Sequence, residues 1–300
     1  MVVYADNVNQ KRYYCYWNGS AWGPVSNCAP TNGTNDITLF SNGRPTYVSL
    51  KPKDGSNEII MGVSLDVSSV MEVEAYRWTG SAWTDGVLLT GAVTVSAQGR
   101  DQGAIFDLDW ESTTGDAVVV YATTEATEIK YRRLVSGSGS WDAEANAFNT
   151  PVNGSGVIWV NTEGDPSSNR IAVATNDTAN DLSVAVWKAD GTTAGWTNFS
   201  STINEITLEG SNGTTAGPAY TDLLWERTGS EFIVVAQNAG AGDTGEYTRL
   251  TCTGTGCTVT TAITVITTTA GTDDAQFNRL AGSRNSDDIM YIQSDIDNNL

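Results

Sequence analysis

The 300-residue chain contains no histidine. That removes the commonest general base, the commonest transition-metal ligand and every Ser-His or Cys-His nucleophile. Long apolar runs are also missing. The longest candidates, Ala117 to Tyr121 and Phe232 to Ala236, are strand-length and far short of a bilayer span, so no membrane insertion is expected. Basic residues are few: 16 Lys plus Arg stand against 35 Asp plus Glu, a formal net charge of −19. A surface of that sign repels phosphate backbones, which argues against nucleic-acid partners. The opening MVVYADNVNQKR has neither a basic start nor an apolar core, so no secretory signal is visible, and any targeting segment is expected outside this sequence. No stretch sustains a 3.6-residue period over more than about two turns, and no phosphate loop or nucleophile elbow is present.

Cysteine is scarce but placed in two close pairs, Cys15 with Cys28 and Cys252 with Cys257. A metal site needs its ligands brought together, and these pairs sit in different repeats with no histidine to complete either. The reading is two local disulfides, each stapling a hairpin in an oxidising compartment. Asn-x-Ser/Thr sequons at Asn18, Asn32, Asn153, Asn176, Asn198 and Asn212 are compatible with export.

What remains is strand signal. Apolar and polar residues alternate at period two between Gly, Asn, Asp and Ser clusters, as in Glu72 to Trp78 and Ser183 to Trp187. The segments also repeat. SNEIIMGVS from Ser56, SNRIAVATN from Ser168 and SDDIMYIQS from Ser286 form one set. GDAVVVYAT from Gly115 and GSEFIVVAQ from Gly229 form a second, each preceded by an aromatic-acidic strand, FDLDWEST at Phe106 and TDLLWERT at Thr221. The two sets alternate, which sets a unit of roughly 55 to 60 residues, in the range of propeller blades and much longer than a β-helix rung.

One unit parses into an inner strand (Val157 to Glu163), a second strand (Arg170 to Thr175), a third (Leu182 to Lys188) and an outer strand after a tryptophan turn. The expected fold is therefore an all-β β-propeller of four-stranded antiparallel blades, about five to six in number and incomplete at both ends. As one domain over 1–300 it divides into a partial blade 1–44, blades 45–103, 104–155, 156–217 and 218–275, and a partial blade 276–300. Met1 falls where a middle strand is already running, and the last segment stops after a second strand, so the chain reads as a piece of a longer one.

The recurring tryptophan turn is Trp17-Asn-Gly-Ser-Ala-Trp22 and Trp78-Thr-Gly-Ser-Ala-Trp83, with looser versions at Trp187 to Trp196 and before Trp141. Here the chain resembles the repeat propellers of secreted bacterial and archaeal surface proteins. It is similar to the six-bladed fucose-lectin family, with its W-x-G-x-x-W hairpin, and more distantly to sialidase-like propellers. The Ser-x-Asp-x-Gly order of the sialidase box is absent, and no Arg and Glu recur at fixed places in each blade. The resemblance implies the fold, and the sugar site does not carry over. Trp17, Trp22, Trp78 and Trp83 are candidate ligand-binding residues, with blade packing as the stronger reading.

Asp107, Asp109 and Glu111 alternate with Phe106, Leu108 and Trp110, which places three carboxylates on one face of an inner, channel-lining strand. They are the candidate catalytic residues for glycoside hydrolysis, although a solvated acidic strand explains them as well. No metal site is expected. The Asp-rich turns at Asn176 to Asp181 and Asp295 to Asp297 have the side chains to hold Ca²⁺ but lack the glycine and closing glutamate of a helix–loop–helix Ca²⁺ loop, and no cofactor is expected. The functional expectation is a non-enzymatic extracellular or cell-surface recognition and adhesion propeller, partnered by a glycan or a surface protein. The alternatives are a carbohydrate-active hydrolase or lyase using the channel carboxylates, and a structural subunit of a surface layer or filament.

Overall fold

The structure is a computed structural model describing residues 1–6, 11–25, 28–31, 34–37, 43–67, 70–93, 104–123, 129–147, 157–177, 182–189, 195–197, 205–206, 221–237, 245–253, 256–266, 275–283 and 285–295. The sequons at Asn32, Asn153, Asn198 and Asn212, and much of the two Asp-rich turns, lie outside these residues. Asn18 is exposed, whereas Asn176 is buried and accepts a hydrogen bond from Thr221 Oγ1 at 2.5 Å.

All regular structure among the described residues is antiparallel β, in six sheets. The first holds β1 (Val2–Asp6), β2 (Lys11–Trp17) and β3 (Trp22–Gly23). The second holds β4 (Arg44–Pro52), β5 (Ile59–Val67), β6 (Val70–Trp78) and β7 (Trp83–Val93). The third runs β8 (Phe106–Trp110), β9 (Ala117–Ala122), β10 (Ile129–Val135) and β11 (Ser140–Trp141), with β12 (Ala145–Asn146) also on β10. The fourth has β13 (Val157–Gly164), β14 (Arg170–Asp177), β15 (Leu182–Lys188) and β16 (Gly195–Thr197), with β17 (Glu205–Ile206) also on β15. The fifth has β18 (Thr221–Trp225), β19 (Glu231–Gln237), β20 (Gly245–Thr253) and β21 (Gly256–Ile266), and the sixth β22 (Ala275–Gly282) and β23 (Ile289–Asp295). Apart from β12 and β17, which return to β10 and β15, each strand pairs with its neighbour in sequence, so the sheets are local meanders, and the chain folds as a β-propeller of four-stranded blades.

The core lies between sheets, and the period of two explains how. Along β14, Ile171 and Val173 pack toward the third sheet with Phe106, Val118 and Val120. Ala172 and Ala174 point the other way, toward Leu223, Phe232 and Val234 of the fifth. A strand buried on both faces reads as a continuous apolar run, which is the pattern of VVVY and FIVVA. A third layer, Met61, Val63, Leu65 and Tyr76 with Tyr14, joins the first and second sheets. Packing is close enough that a Cβ on Gly62 would overlap the Phe106 ring.

The tryptophan turns close hairpins: Trp17 pairs with Trp22, and Trp78 with Trp83. Trp78 is covered by Tyr14 and Tyr16 of the preceding sheet at ring centroid distances of 5.4 and 5.6 Å. Trp17 and Trp22 are 54% and 42% exposed. Both cysteine pairs are bonded, Cys15–Cys28 and Cys252–Cys257, in keeping with an oxidising environment. No helix among the described residues is long and apolar enough to cross a membrane.

Candidate functional site

The register places the inner strands in a common frame. Lys51, Asp109, Glu163, Leu224 and Ala281 each pair with the residue nine further along the chain, in the second strand of their sheet. They therefore occupy one level of the channel. Two residues deeper lie Ser49, Asp107, Asn161, Asp222 and Arg279, and two residues outward the turns begin at Lys53, Glu111, Asp165, Glu226 and Ser283.

The deeper level holds the blades together. Asp107 is buried, accepting from Ser49 Oγ of the second sheet at 2.8 Å and from Thr162 N and Oγ1 of the fourth at 2.8 and 3.0 Å. Asp222 repeats the arrangement, accepting from Asn161 Nδ2 and from Leu280 N, both at 2.7 Å. Among the described residues the inner strands of neighbouring blades share no ladder, and these carboxylates supply buried polar ties between them. Burial pushes the Asp107 carboxyl above its usual range, opposed by the Lys51 charge and by the Thr162 and Ser49 bonds.

The outward level shapes the turns. Glu111 lies one residue beyond β8 and bends back to accept from Asp116 N, Thr113 N and Thr114 Oγ1 at 2.9, 2.8 and 2.6 Å. Glu226 accepts from Glu231 N at 2.8 Å in the equivalent turn. The three carboxylates anticipated on one face thus separate. Asp107 is a blade tie and Glu111 a turn organiser, because a buried carboxylate is stable only where donors meet it. Asp109 and Glu111 both line the channel mouth, but Glu111 is held in its turn.

That mouth is a cavity of about 650 Å³ lined by Lys51, Asp109, Glu163, Leu224, the edges of Trp110 and Trp225, and the turns beyond them. Lys51 Nζ contacts Asp109 Oδ2 at 3.3 Å and Glu163 Oε2 at 3.1 Å. Asp109 also accepts from Gly164 N at 2.9 Å and Trp110 N at 2.8 Å. Two tryptophans frame the pair from equivalent positions: Trp110 Nε1 donates to Lys51 O at 3.0 Å and Trp225 Nε1 to Glu163 O at 2.9 Å. Each fixes the backbone of the channel residue next to it.

Burial would lower the Lys51 ammonium, but Asp109, Glu163 and Asp107 outweigh it and hold Lys51 well above the usual lysine range. Glu163 is raised to about 7, first by burial and further by Asp109, with Lys51 opposing. Its side chain is still 31% exposed, so a ligand in the cavity reaches it. Glu163 and Lys51 were not singled out in the sequence. The signal was their offset from the second strand, which matches that of Asp109. Trp78 and Trp83 are packed in a blade interface, Trp17 and Trp22 stand at the turn of the first sheet, and none of the four lines the cavity. Among the described residues no group of three or more His, Cys, Asp or Glu is arranged to hold a metal ion.

Gly164 brings the fourth blade against the third. A Cβ there would overlap the Trp110 carbonyl oxygen, and its N–H is one of the donors to Asp109. Gly164→Ala is expected to lower stability by roughly 1–3 kcal/mol through overpacking, read from the urea midpoint at constant m-value.

No family model and no curated protein matches the chain. Solved structures do. AofleA from Arthrobotrys oligospora is 11% identical with a TM-score of 0.45, over 85% of this chain and 66% of its own. The catalytic domain of a Coprinopsis cinerea GH62 α-L-arabinofuranosidase is 10% identical with a TM-score of 0.41, over 84% of both chains. A K499G mutant of the NanB sialidase from Streptococcus pneumoniae is 9% identical with a TM-score of 0.42, over 77% of this chain and 54% of its own. The expectation of a non-enzymatic protein is thereby corrected, since enzymes acting on glycans stand among the similar structures. The expectation leaned on the missing histidine, and histidine is not needed by a site built from paired carboxylates.

Proposed function

We propose that the protein is an exported carbohydrate-active hydrolase whose chemistry is carried by Glu163 and Asp109. The observation that carries the reading is the pair of carboxylates gathered on one ammonium at a channel mouth, with Glu163 raised toward neutrality. Glycoside hydrolysis needs two carboxyl groups in different protonation states, and a raised pKa marks the acid. Both oxygens contact Lys51, so they lie on the near side of the roughly 6.5 Å that divides retaining from inverting pairs.

In the first step Glu163 gives its proton to the glycosidic oxygen as the bond from that oxygen to the anomeric carbon breaks. An Asp109 oxygen bonds to the same carbon, forming a glycosyl ester. The Glu163 carboxylate then takes a proton from water, whose oxygen displaces Asp109 and restores both groups. Lys51 holds the carboxylates at a fixed spacing. Leu224 stands on the same level, so the lining has an apolar side and a charged side. A pyranose has the same division between its C–H face and its hydroxyls.

The test is a panel of aryl glycosides and polysaccharides assayed with wild type and Asp109→Asn. Hydrolysis with retained anomeric configuration by NMR, falling about 10³-fold or more in the variant, supports the reading. Activity unchanged in the variant, or inactivity on the whole panel, overturns it.

A further inference from the structure

The charge around the pair carries a statement about substrate. Beside Asp109 and Glu163, the cavity is lined by Asp54, Glu111, Glu226, Asp287 and Asp288. The lining cations are Lys51, Lys53 and Arg227. Lys51 is held by Asp109 and Glu163. Lys53 Nζ bonds Glu58 Oε2 at 3.2 Å and Gly115 O at 3.0 Å, and stands 4.8 Å from the centre of the Trp110 ring. Asp287 accepts from Thr228 N and Oγ1 at 2.9 and 2.7 Å, which hold it below the usual carboxylate range, with a lesser influence from the Arg227 charge. Lys51 and Lys53 are therefore already paired with carboxylates, and the seven carboxylates of the lining outnumber its three cations, so its excess charge is negative, as is that of the whole chain.

A substrate carboxylate or sulfate entering this mouth meets like charge and finds Lys51 and Lys53 engaged. An ammonium meets opposite charge at a low-dielectric wall, where attraction is stronger than in bulk water. Asp54 and Asp288 are exposed, on the turns of the second and sixth sheets, so the field reaches from two sides of the opening.

We propose that the cavity selects its glycan by charge, taking amine-bearing sugars first, neutral sugars next and uronic or sulfated sugars last. The proposal rests on the reading of the cavity as a glycan site. Three probes of equal length test it by calorimetry at pH 6: a glucosamine tetramer, cellotetraose and tetragalacturonic acid. The glucosamine tetramer is expected to bind about ten-fold or more tightly than tetragalacturonic acid in 20 mM salt, with the gap narrowing by 0.3 M salt. Tetragalacturonic acid binding as well as the glucosamine tetramer overturns the proposal, and so does the absence of binding by all three.

A second variant addresses the lining alone. Asp54→Lys with Asp288→Lys leaves Lys51, Asp109 and Glu163 in place and is expected to bring the two charged probes within about three-fold of each other. An unchanged ratio, in a variant whose circular dichroism matches wild type, places the selectivity elsewhere and overturns the proposal. Hydrolysis is scored separately. Charge-ordered binding without cleavage sinks the enzyme reading and leaves this one, whereas cleavage with a preference for the acidic probe does the reverse.

Discussion

Asp107→Ala is expected to lower the unfolding free energy by about 4 kcal/mol, within the range for breaking a buried, fully bonded charge. The side chain accepts three hydrogen bonds, one from Ser49 and two from Thr162, in sheets on either side of its own. Removing it leaves the Thr162 N–H and two hydroxyls facing one another with no acceptor, and each unsatisfied buried group costs roughly 1–3 kcal/mol. The loss falls on a junction that no strand ladder supports, so relaxation there moves whole blades. Burial holds the folded carboxyl above its unfolded range. Its proton linkage therefore favours the fold at pH below the ordinary carboxylate value, and that favour is lost as pH rises through the folded pKa. The deletion is accordingly expected to cost more in acid, where the proton-linked stability is present, than near neutral pH. Urea midpoints at pH 4 and 7 measure both statements. Lys11→Ala is the surface control: it removes the partly exposed pair with Asp36 and should cost less than about 1 kcal/mol. A loss below about 1 kcal/mol in Asp107→Ala would sink the tie.

Much of the fold was legible because it is written locally. Alternation at period two, strands apolar on both faces and Gly-containing turns need no knowledge of distant contacts, and VVVY at Val118 announces a strand between two sheets. The disulfides were legible for the same reason, since each pair closes a short loop. The site was not local. Asp107, Asp109 and Glu111 have the same side-chain chemistry and a regular spacing, yet one ties blades, one faces the channel and one caps a turn. What separates them is a donor on another blade, Thr162 for Asp107 and Gly164 for Asp109, some 55 residues away. Glu163 was hidden by mixed chemistry at its level, where Lys51, Asp109, Leu224 and Ala281 share a position but no residue type. The repeat preserves backbone register and leaves the channel-facing side chain free to differ, so a search for recurring residues passes over the positions that carry the chemistry.

Glu163→Gln is expected to reduce hydrolysis of glycosides with poor leaving groups by about 10²–10⁴-fold, the usual worth of a positioned general acid. Glutamine keeps the shape and the acceptor toward Lys51 but has no proton to give. Glycosides with good leaving groups, which need little protonation, should lose much less, and that contrast separates an acid from a residue that only supports the cavity wall. The pH profile provides the second readout. Glu163 is raised to about 7, so the acid is present below that value, and kcat/KM should fall as pH rises through it. Lys51 opposes the rise, so Lys51→Met should move the alkaline limb to still higher pH while weakening the hold on Asp109. Stability follows the same proton in the same direction. An acid whose folded pKa exceeds its unfolded value contributes stability that is complete below about 4.5 and lost as pH rises toward 7. Glu163→Gln is neutral at every pH and should flatten that part of the stability curve. A profile whose alkaline limb is identical in wild type and Lys51→Met, or equal losses on good and poor leaving groups in Glu163→Gln, would remove Glu163 from the role of acid and leave it a structural partner of Lys51.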